Sequence, residues 1–258
     1  MRTVAFVDLD DTLFQTRPKC PPGEELRCAA LGRDGQPLSF MTARQQHFLE
    51  HLLRGALVVP VTGRDRDAFG RVQLRLEGHA VLDHGATLLD PGGRENPEWA
   101  ARTRAALEAV KSDLDALLAA CLDFCLEHGL GITPRVLERE GYPVYLLLRH
   151  PRRYPDTDLV ALERVRRFVV ARVEALYAAR LRVIANGNNI TVLPRAVSKE
   201  RAVAFLMERL RAEHGELFTL GVGDSISDFG FMSLCDFAVT PQGSQIARAF
   251  LEADHVQR

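Results

Sequence analysis

The chain has 258 residues, of which 47% are hydrophobic, and this allows one large domain or a core with a smaller insert. Its 33 basic and 34 acidic residues nearly cancel, so charge gives no reason to expect nucleic acid or an anionic membrane as a partner. The sequence contains no apolar run near the roughly 18 residues that cross a bilayer. Five scattered cysteines, an odd number, predict reduced thiols and a cytoplasmic location.

Short apolar runs alternate with amphipathic segments at both ends of the chain. The runs predict strands at Thr3–Asp8, Ala56–Val61, Ala80–Asp83, Leu217–Val222 and Phe237–Val239. The amphipathic segments predict helices at Thr42–Leu53, Arg66–Leu76, Lys199–Glu213 and Ser244–Leu251. Strands that alternate with helices of about a dozen residues indicate βαβ units. We therefore expect an α/β core with a Rossmann-like parallel sheet, and no signal peptide ahead of its first strand.

The middle third of the chain has a different pattern. One helix is predicted from Asn96 to about His128 and another over about Leu159–Ala179. Two extended segments follow each helix: Ile132–Arg139 and Tyr142–Arg149, then Leu181–Ala185 and Asn189–Leu193, with turns at Glu140-Gly141 and Asn186-Gly187. This αββαββ order predicts an inserted α+β domain. We place the core at 1–88 and 189–258 and the insert at 89–188.

The segment Gln15–Met41 also interrupts the βαβ rhythm. It is rich in proline and glycine and predicts a loop or a hairpin, turning at Arg33-Asp34-Gly35-Gln36 between Arg27–Leu31 and Leu38–Met41. Because it directly follows the acidic run described next, we expect it to overhang that run.

Residues Asp8-Leu9-Asp10-Asp11-Thr12 place three carboxylates within four positions, directly after a buried strand. Carboxylates this close repel one another and raise one another's pKa values unless a cation or a proton lies between them. Ligands of open α/β sheets bind at the carboxyl ends of the strands. The run therefore predicts a site for a hard metal ion and a phosphate.

Other strand ends carry polar residues of the same kind. One predicted strand ends in Thr62-Gly63-Arg64-Asp65, another in Gly223-Asp224-Ser225-Ile226-Ser227-Asp228, and Lys199 begins a helix. In a parallel sheet all strand carboxyl ends point to one edge, so we expect these residues to converge with Asp8 and Asp10. Asp224 and Asp228 are four positions apart, so one helical turn can direct both to the same side.

Each of these residue types suits phosphoryl transfer. Asp8 can attack phosphorus and form an acyl phosphate, and Asp10 can protonate the leaving group and then activate water. Asp8 and Asp224 are candidate ligands for Mg²⁺, which takes oxygen ligands from one or two carboxylates. Candidate donors to the transferring oxygens are the Thr62 hydroxyl, the Gly63 amide and the Lys199 ammonium.

Three further positions have open alternatives. Asp11 is expected to shape the turn and to present its amide, not its carboxylate, to the ligand. Arg64 either contacts the substrate or only solvates a helix start. Asn189 is either a turn former or faces the site. We take Asp11, Gly63, Arg64 and Asn189 as the candidate phosphate-binding residues.

Together the four motifs resemble those of the haloacid dehalogenase superfamily. Asp8 to Thr12 resembles its DxDx(T/V) first motif, Thr62-Gly63-Arg64 the second, Lys199 the third, and Gly223 to Asp228 the GDxxxD form of the fourth. The insert between the second and third motifs resembles a C2-type cap of the Cof and sucrose-phosphate phosphatase subgroups. Two features depart from that pattern: Ser227 replaces the usual asparagine, and Gln15–Met41 is unusually long.

The resemblance implies a Mg²⁺-dependent phosphomonoester hydrolase that acts through an aspartyl-phosphate. Asp8 would be nucleophile and metal ligand, Asp10 the acid/base and, through its backbone carbonyl, a metal ligand. Thr62 and Lys199 would hold the phosphate, Asp224 the metal, and Asp228 the metal or Lys199. We expect a small phosphorylated metabolite, a sugar or polyol phosphate, as substrate. A phosphomutase and a non-catalytic phosphate-binding regulatory module remain as alternatives, whereas a dehalogenase would lack Asp10.

Overall fold

The structure is a computed structural model that describes residues 1–139, 141–152, 156–186 and 189–256. The chain divides into two compact units: Met1–Ala100 with Ser198–Arg258, and Ala101–Val197. Within the described ranges, none of the helices has the length and apolarity needed to cross a membrane. The predicted turn residues Glu140 and Gly187 lie outside the described part.

Strands and helices follow in this order along the chain. The strands are β1 (Arg2–Val7), β2 (Gln15–Thr16), β3 (Leu26–Leu31), β4 (Pro37–Thr42), β5 (Leu57–Pro60), β6 (Ala80–Leu82), β7 (Thr87–Leu89), β8 (Thr133–Arg139), β9 (Tyr142–Arg149), β10 (Leu181–Asn186), β11 (Asn189–Pro194), β12 (Leu217–Val222) and β13 (Phe237–Val239). The helices are α1 (Ala43–Gly55), α2 (Arg66–Gly70), α3 (Pro97–Glu108), α4 (Lys111–Glu127), α5 (Leu159–Leu176), α6 (Lys199–His214), α7 (Phe229–Met232) and α8 (Gln245–Val256). Short 3₁₀ turns lie at Arg17–Lys19 and Asp83–Gly85.

The first unit is built on a parallel sheet with strand order β13-β12-β1-β5. The central strand β1 is buried on both faces. Val4 and Phe6 belong to the same core cluster as residues of α6, whereas Ala5 and Val7 belong to a cluster with residues of α1. A strand covered on both sides reads as a continuous apolar run, which is why its sequence predicted it. The predicted parallel α/β core is confirmed.

Two elements of this unit differ from their prediction. The helix predicted over Arg66–Leu76 ends at Gly70, because the following residues bond to β3: the Leu31 amide donates to Arg71 and the Gln73 amide to Ala29. The strand predicted at Ala80–Asp83 does not extend the main sheet. It pairs antiparallel with β7 and makes a single parallel bridge, from Val81 to Val61.

The segment after the acidic run forms a small sheet with strand order β2-β4-β3. Its turn is closed by the Gly32 amide, which donates to Gln36 at 2.8 Å, and Gly35 supplies the positive φ of 76° that the turn requires. Ala30 and Met41 anchor this sheet in the same apolar cluster as Phe14. The predicted hairpin is thus present, with one additional short strand.

The second unit is an antiparallel sheet with order β10-β11-β9-β8, packed against α4 and α5. The order α4-β8-β9-α5-β10-β11 confirms the predicted αββαββ pattern. The long helix predicted from Asn96 is in fact two, because the chain turns at Val110, whose φ and ψ of −114° and 5° are not helical. The predicted boundary assigned Asn189–Leu193 to the core, but β11 pairs with both β9 and β10.

Candidate active site

The carboxyl ends of three strands meet at one edge of the parallel sheet. The Asp8 amide donates to the Val222 carbonyl at 2.8 Å, and the Val61 amide donates to the Val7 carbonyl at 2.8 Å. These bonds continue the ladders of β1 with β12 and with β5, so the residues that follow each strand are level with one another. Asp8, Thr62 and Asp224 therefore begin the turns at this edge.

Lys199 joins two of the predicted carboxylates. Its Nζ lies 2.6 Å from Asp8 Oδ1 and 2.6 Å from Asp228 Oδ1, and the three residues are buried. Asp228 is held in turn by Ser225, whose amide and hydroxyl donate to Oδ2 at 3.0 and 2.6 Å. No separate role was predicted for Ser225, although it lies within the fourth motif.

Charge and burial act in opposite directions on these three groups. Burial raises the pKa of Asp8 well above its usual value, with Lys199 opposing and Asp228 adding to the rise. Burial raises the pKa of Asp228, but the charge of Lys199 and its hydrogen bond lower it. The net effect is a pKa below the usual value. For Lys199, burial favours a lower pKa, but the two carboxylates outweigh it and its pKa rises. The ammonium is therefore charged at neutral pH, and Asp228 is its ionised partner.

Asp224 completes a cluster of three carboxylates. Oxygen atoms of Asp8, Asp224 and Asp228 all lie within 4.8 Å of one another. The Thr12 hydroxyl is 3.1 Å from Asp224 Oδ1 and 3.4 Å from Asp8 Oδ2, a role not predicted for this threonine. Burial, with the charges of Asp228 and Asp11, raises the pKa of Asp224 to about 6. Three acids facing one lysine leave an excess of negative charge, and their hard oxygens fit Mg²⁺.

The raised pKa of Asp224 predicts that Mg²⁺ binding depends on pH. A proton on this carboxylate competes with the metal, so lowering the pH from about 7 to about 5 is expected to weaken Mg²⁺ binding about tenfold. In the metal-free protein the native state holds this proton more tightly than the unfolded state. Its stability contribution therefore falls as pH rises from about 4 to about 6.

Calorimetric Mg²⁺ titrations at several pH values measure this effect. The Asp224→Asn variant serves as the comparison and is expected to bind Mg²⁺ weakly with a flatter pH dependence. Affinity in the unmodified protein that stays constant across this range would contradict the assignment of Asp224 as a metal ligand.

Arg64 contacts Asp10 and forms an ion pair with it. Burial favours a lower pKa for Arg64, but the hydrogen bond and charge of Asp10 outweigh burial and its pKa is raised. The sequence predicted that Arg64 either contacts the substrate or only solvates a helix start. The structure instead gives it a protein carboxylate as partner.

The prediction that the Asp11 amide faces the ligand is wrong. Asp11 has a positive φ of 64°, and in this conformation its amide donates to the Phe14 carbonyl at 2.7 Å. Its carboxylate pairs with Lys19 of the small sheet segment. The residue therefore closes the turn between Asp8 and Phe14, and its amide is already used. The ion pair with Lys19 also brings the Gln15–Met41 segment against the acidic run, as expected.

Thr62 and Gly63 lie where β5 ends, next to an unusual turn. The Thr62 hydroxyl oxygen accepts from the Arg64 amide at 3.2 Å, and any Cβ on Gly63 would overlap the ring of His84. His84 and Gly85 have positive φ values of 55° and 102°. A Cβ on Gly85 would overlap the Ser198 carbonyl, so this glycine lets the chain approach the start of the Lys199 helix.

Asn189, the last of the predicted site residues, belongs to the second unit. Its Oδ1 accepts a hydrogen bond of 2.6 Å from Arg149 Nε, across the pair β9–β11. Its assignment to phosphate binding stays a prediction.

Comparison with known proteins shows which solved structures share this fold. No protein-family model and no curated protein sequence matches the chain. The C-terminal domain of trehalose-6-phosphate phosphatase from C. albicans matches it with a TM-score of 0.59 and 16% identity, over 90% of this chain and 73% of that one. A trehalose-6-phosphate phosphatase related protein matches with a TM-score of 0.53 and 15% identity, over 98% of this chain and 99% of that one. This chain has the fold of these two proteins.

A third solved structure extends the fold match along the whole chain. The sucrose-phosphatase of Synechocystis sp. PCC6803, solved with sucrose and phosphate, matches 100% of this chain and 99% of its own, with a TM-score of 0.50 and 15% identity. The fold expected from the resemblance to the haloacid dehalogenase superfamily, a parallel core with an inserted α+β domain, is confirmed.

The arrangement in the first unit has the parts that a displacement at phosphorus needs. A buried carboxylate, Asp8, lies beside a buried cation, Lys199, which can also neutralise phosphate oxygens. Two further acids, Asp224 and Asp228, supply oxygen ligands around the same point. A fourth, Asp10, lies on the same turn as Asp8 and is half exposed.

Proposed function

We propose that this protein is a Mg²⁺-dependent phosphomonoester hydrolase that acts on a small phosphorylated sugar or polyol. The cluster of Asp8, Lys199, Asp224 and Asp228 carries the proposal. It combines a candidate nucleophile with a buried cation 2.6 Å away and with carboxylate oxygens within 4.8 Å. Electrostatic stabilisation and positioning account for most of the catalysis in phosphoryl transfer, and this cluster supplies both.

In the first half-reaction, an Asp8 carboxylate oxygen attacks phosphorus. The bond from phosphorus to the ester oxygen breaks, and Asp10 gives its proton to the departing alkoxide. Lys199 and the Thr62 hydroxyl bind the phosphoryl oxygens as charge moves onto them. Bound Mg²⁺, held by Asp8, Asp224, the Asp10 carbonyl and directly or indirectly by Asp228, would neutralise the incoming phosphate.

In the second half-reaction, Asp10 accepts a proton from a water molecule that attacks phosphorus. The bond between phosphorus and Asp8 breaks, which releases phosphate and restores the Asp8 carboxylate. Asp10 again carries a proton, ready for the next ester. The two steps together hydrolyse one phosphomonoester and leave the protein unchanged.

The substrate class is supported by the neighbours in fold. Two of the solved structures are, by name, a trehalose-6-phosphate phosphatase and a sucrose-phosphatase, the latter bound to sucrose and phosphate. A phosphorylated sugar is therefore the first class to test, with polyol phosphates beside it.

The test is phosphate release from a panel of sugar and polyol phosphates by the purified protein, with Mg²⁺ or with a chelator. We expect release from at least one sugar phosphate, only when Mg²⁺ is present. Each reaction is also examined for isomerised sugar phosphate. An isomer formed without free phosphate would indicate the phosphomutase. If the folded protein binds Mg²⁺ but turns over none of these substrates, the non-catalytic phosphate-binding regulatory module becomes the favoured alternative.

A further inference from the structure

The Asp10 carboxylate is held by a two-pronged ion pair. Arg64 Nε lies 2.7 Å from Asp10 Oδ2, and Arg64 Nη2 lies 2.7 Å from Oδ1. Two parallel hydrogen bonds from a planar guanidinium fix both the position and the plane of a carboxylate. A single lysine or a water molecule would fix neither.

Arg64 itself is fixed by contacts other than Asp10. Its Nη1 donates to the Ala68 carbonyl at 3.2 Å, and its guanidinium carbon lies 5.0 Å from the centre of the Phe14 ring. Its side chain is 12% exposed, against 51% for Asp10. The arginine is therefore the anchored partner, and the carboxylate takes the orientation that the arginine imposes.

The same contacts tie Arg64 to the turn that carries the nucleophile. Asp10 and Phe14 lie on the turn that begins at Asp8, and the hydrogen bond from Asp11 to Phe14 closes that turn. Arg64 holds the turn through a carboxylate near its start and an aromatic ring at its end. Motion of the Asp10 side chain relative to Asp8 is thereby restricted.

We propose that Arg64 is a positioning residue that orients Asp10 for proton transfer, and that it does not bind the phosphate. This inference rests on the proposed function, because Asp10 has a proton to move only if the chain cleaves phosphomonoesters. The role differs from the one that the sequence predicted for Arg64. It follows from the two bonds to Asp10 and from the fixed guanidinium, since a group that bound phosphate would need its donors turned toward the substrate.

A double-mutant cycle distinguishes an Arg64 that positions Asp10 from an Arg64 that binds phosphate. Arg64→Met removes the guanidinium and keeps the length of the side chain. We expect it to lower kcat for a sugar phosphate about ten- to a hundredfold, since misplacement by about 1 Å costs that much. KM and the inhibition constant of inorganic phosphate should change less than about threefold. In the Asp10→Asn background the same substitution should cost less than about twofold, because Arg64 acts through Asp10.

Two controls accompany the cycle. Arg66→Met replaces an exposed arginine two positions along the chain, at the start of α2, whose Nη2 donates to the Gly93 carbonyl, and should leave kcat unchanged. Arg64→Ala should recover part of its lost rate when guanidinium chloride is added, and not with sodium chloride at the same concentration. A loss of fold in Arg64→Met would leave this rescue as the deciding measurement, and absence of rescue in folded protein would overturn the proposal.

The opposite result has a different signature. If Arg64 binds phosphate, its loss raises the inhibition constant of phosphate about tenfold or more and lowers the rate by the same factor in both backgrounds. That result would overturn the positioning role and leave the hydrolase standing. Failure of the proposed function would instead be seen in the unmodified protein, which would release no phosphate.

Discussion

The Asp8→Asn variant is expected to lose at least about a thousandfold in kcat on any phosphomonoester that the protein cleaves. An amide has the shape of the carboxylate but lacks the charge and nucleophilic oxygen needed to form an acyl phosphate. The variant should nevertheless fold. Burial raises the pKa of Asp8, which means that the native state holds a proton on this side chain more tightly than the unfolded state, so its negative charge opposes folding. Removing that charge should leave the metal-free protein as stable as before, or more stable.

Phosphate release and urea unfolding measure the two parts of this prediction. Asp123→Asn, an exposed change of the same chemistry on α4, is the matched control and should alter neither. Retained turnover in Asp8→Asn would exclude Asp8 as the nucleophile. Loss of turnover together with a large loss of stability would mean that Asp8 acts in folding.

The Lys199→Met variant is expected to lose both stability and activity. Lys199 is the buried cation between Asp8 and Asp228, with Nζ 2.6 Å from an oxygen of each. Removing one partner of a buried ion pair leaves uncompensated charge and costs about 3–5 kcal/mol in the free energy of unfolding. The rate should fall about a hundredfold or more, because the transferring phosphoryl oxygens lose a charged donor.

The loss of stability should depend on pH and on metal. As pH falls, Asp8 and Asp228 take up protons and their repulsion disappears, so the difference from the unmodified protein should shrink. Added Mg²⁺ should restore part of the stability lost in Lys199→Met, since the ion supplies positive charge to the same carboxylates.

The control for this variant is Lys19→Met. Lys19 also pairs with an aspartate, Asp11, but both side chains are about two-fifths exposed. An exposed pair contributes only about 0–1 kcal/mol, so this change should have little effect on unfolding. If the two lysine variants were equally stable, the buried charge cluster would not contribute as described.

The convergence of the site could be predicted because it follows from topology. Asp8, Thr62 and Asp224 lie far apart in the sequence, but each follows a strand of one parallel sheet. Buried parallel strands read clearly as apolar runs, and their carboxyl ends lie at one edge. Lys199 was found for another reason: it begins a helix within a recognisable motif.

Features that depend on tertiary bonds could not be predicted in the same way. The helix α2 stops at Gly70 because the residues after it bond to β3, a partner some forty positions earlier. The Asp11 amide is used within its own turn, which depends on a positive φ that an aspartate adopts only in context. The pairing of Arg64 with Asp10 depends on side-chain placement across 54 positions, and no local pattern encodes it.

The central claim is that a phosphoryl group passes through Asp8. The most direct measurement is to mix the protein with its sugar phosphate and Mg²⁺, quench with acid, and reduce with borohydride, which converts an acyl phosphate to an alcohol. Peptide mass spectrometry should then find homoserine in place of Asp8, and no such product without substrate. A reduced residue at any other position, or unchanged Asp8 in protein that turns over rapidly and is quenched before phosphate release is complete, would contradict the account.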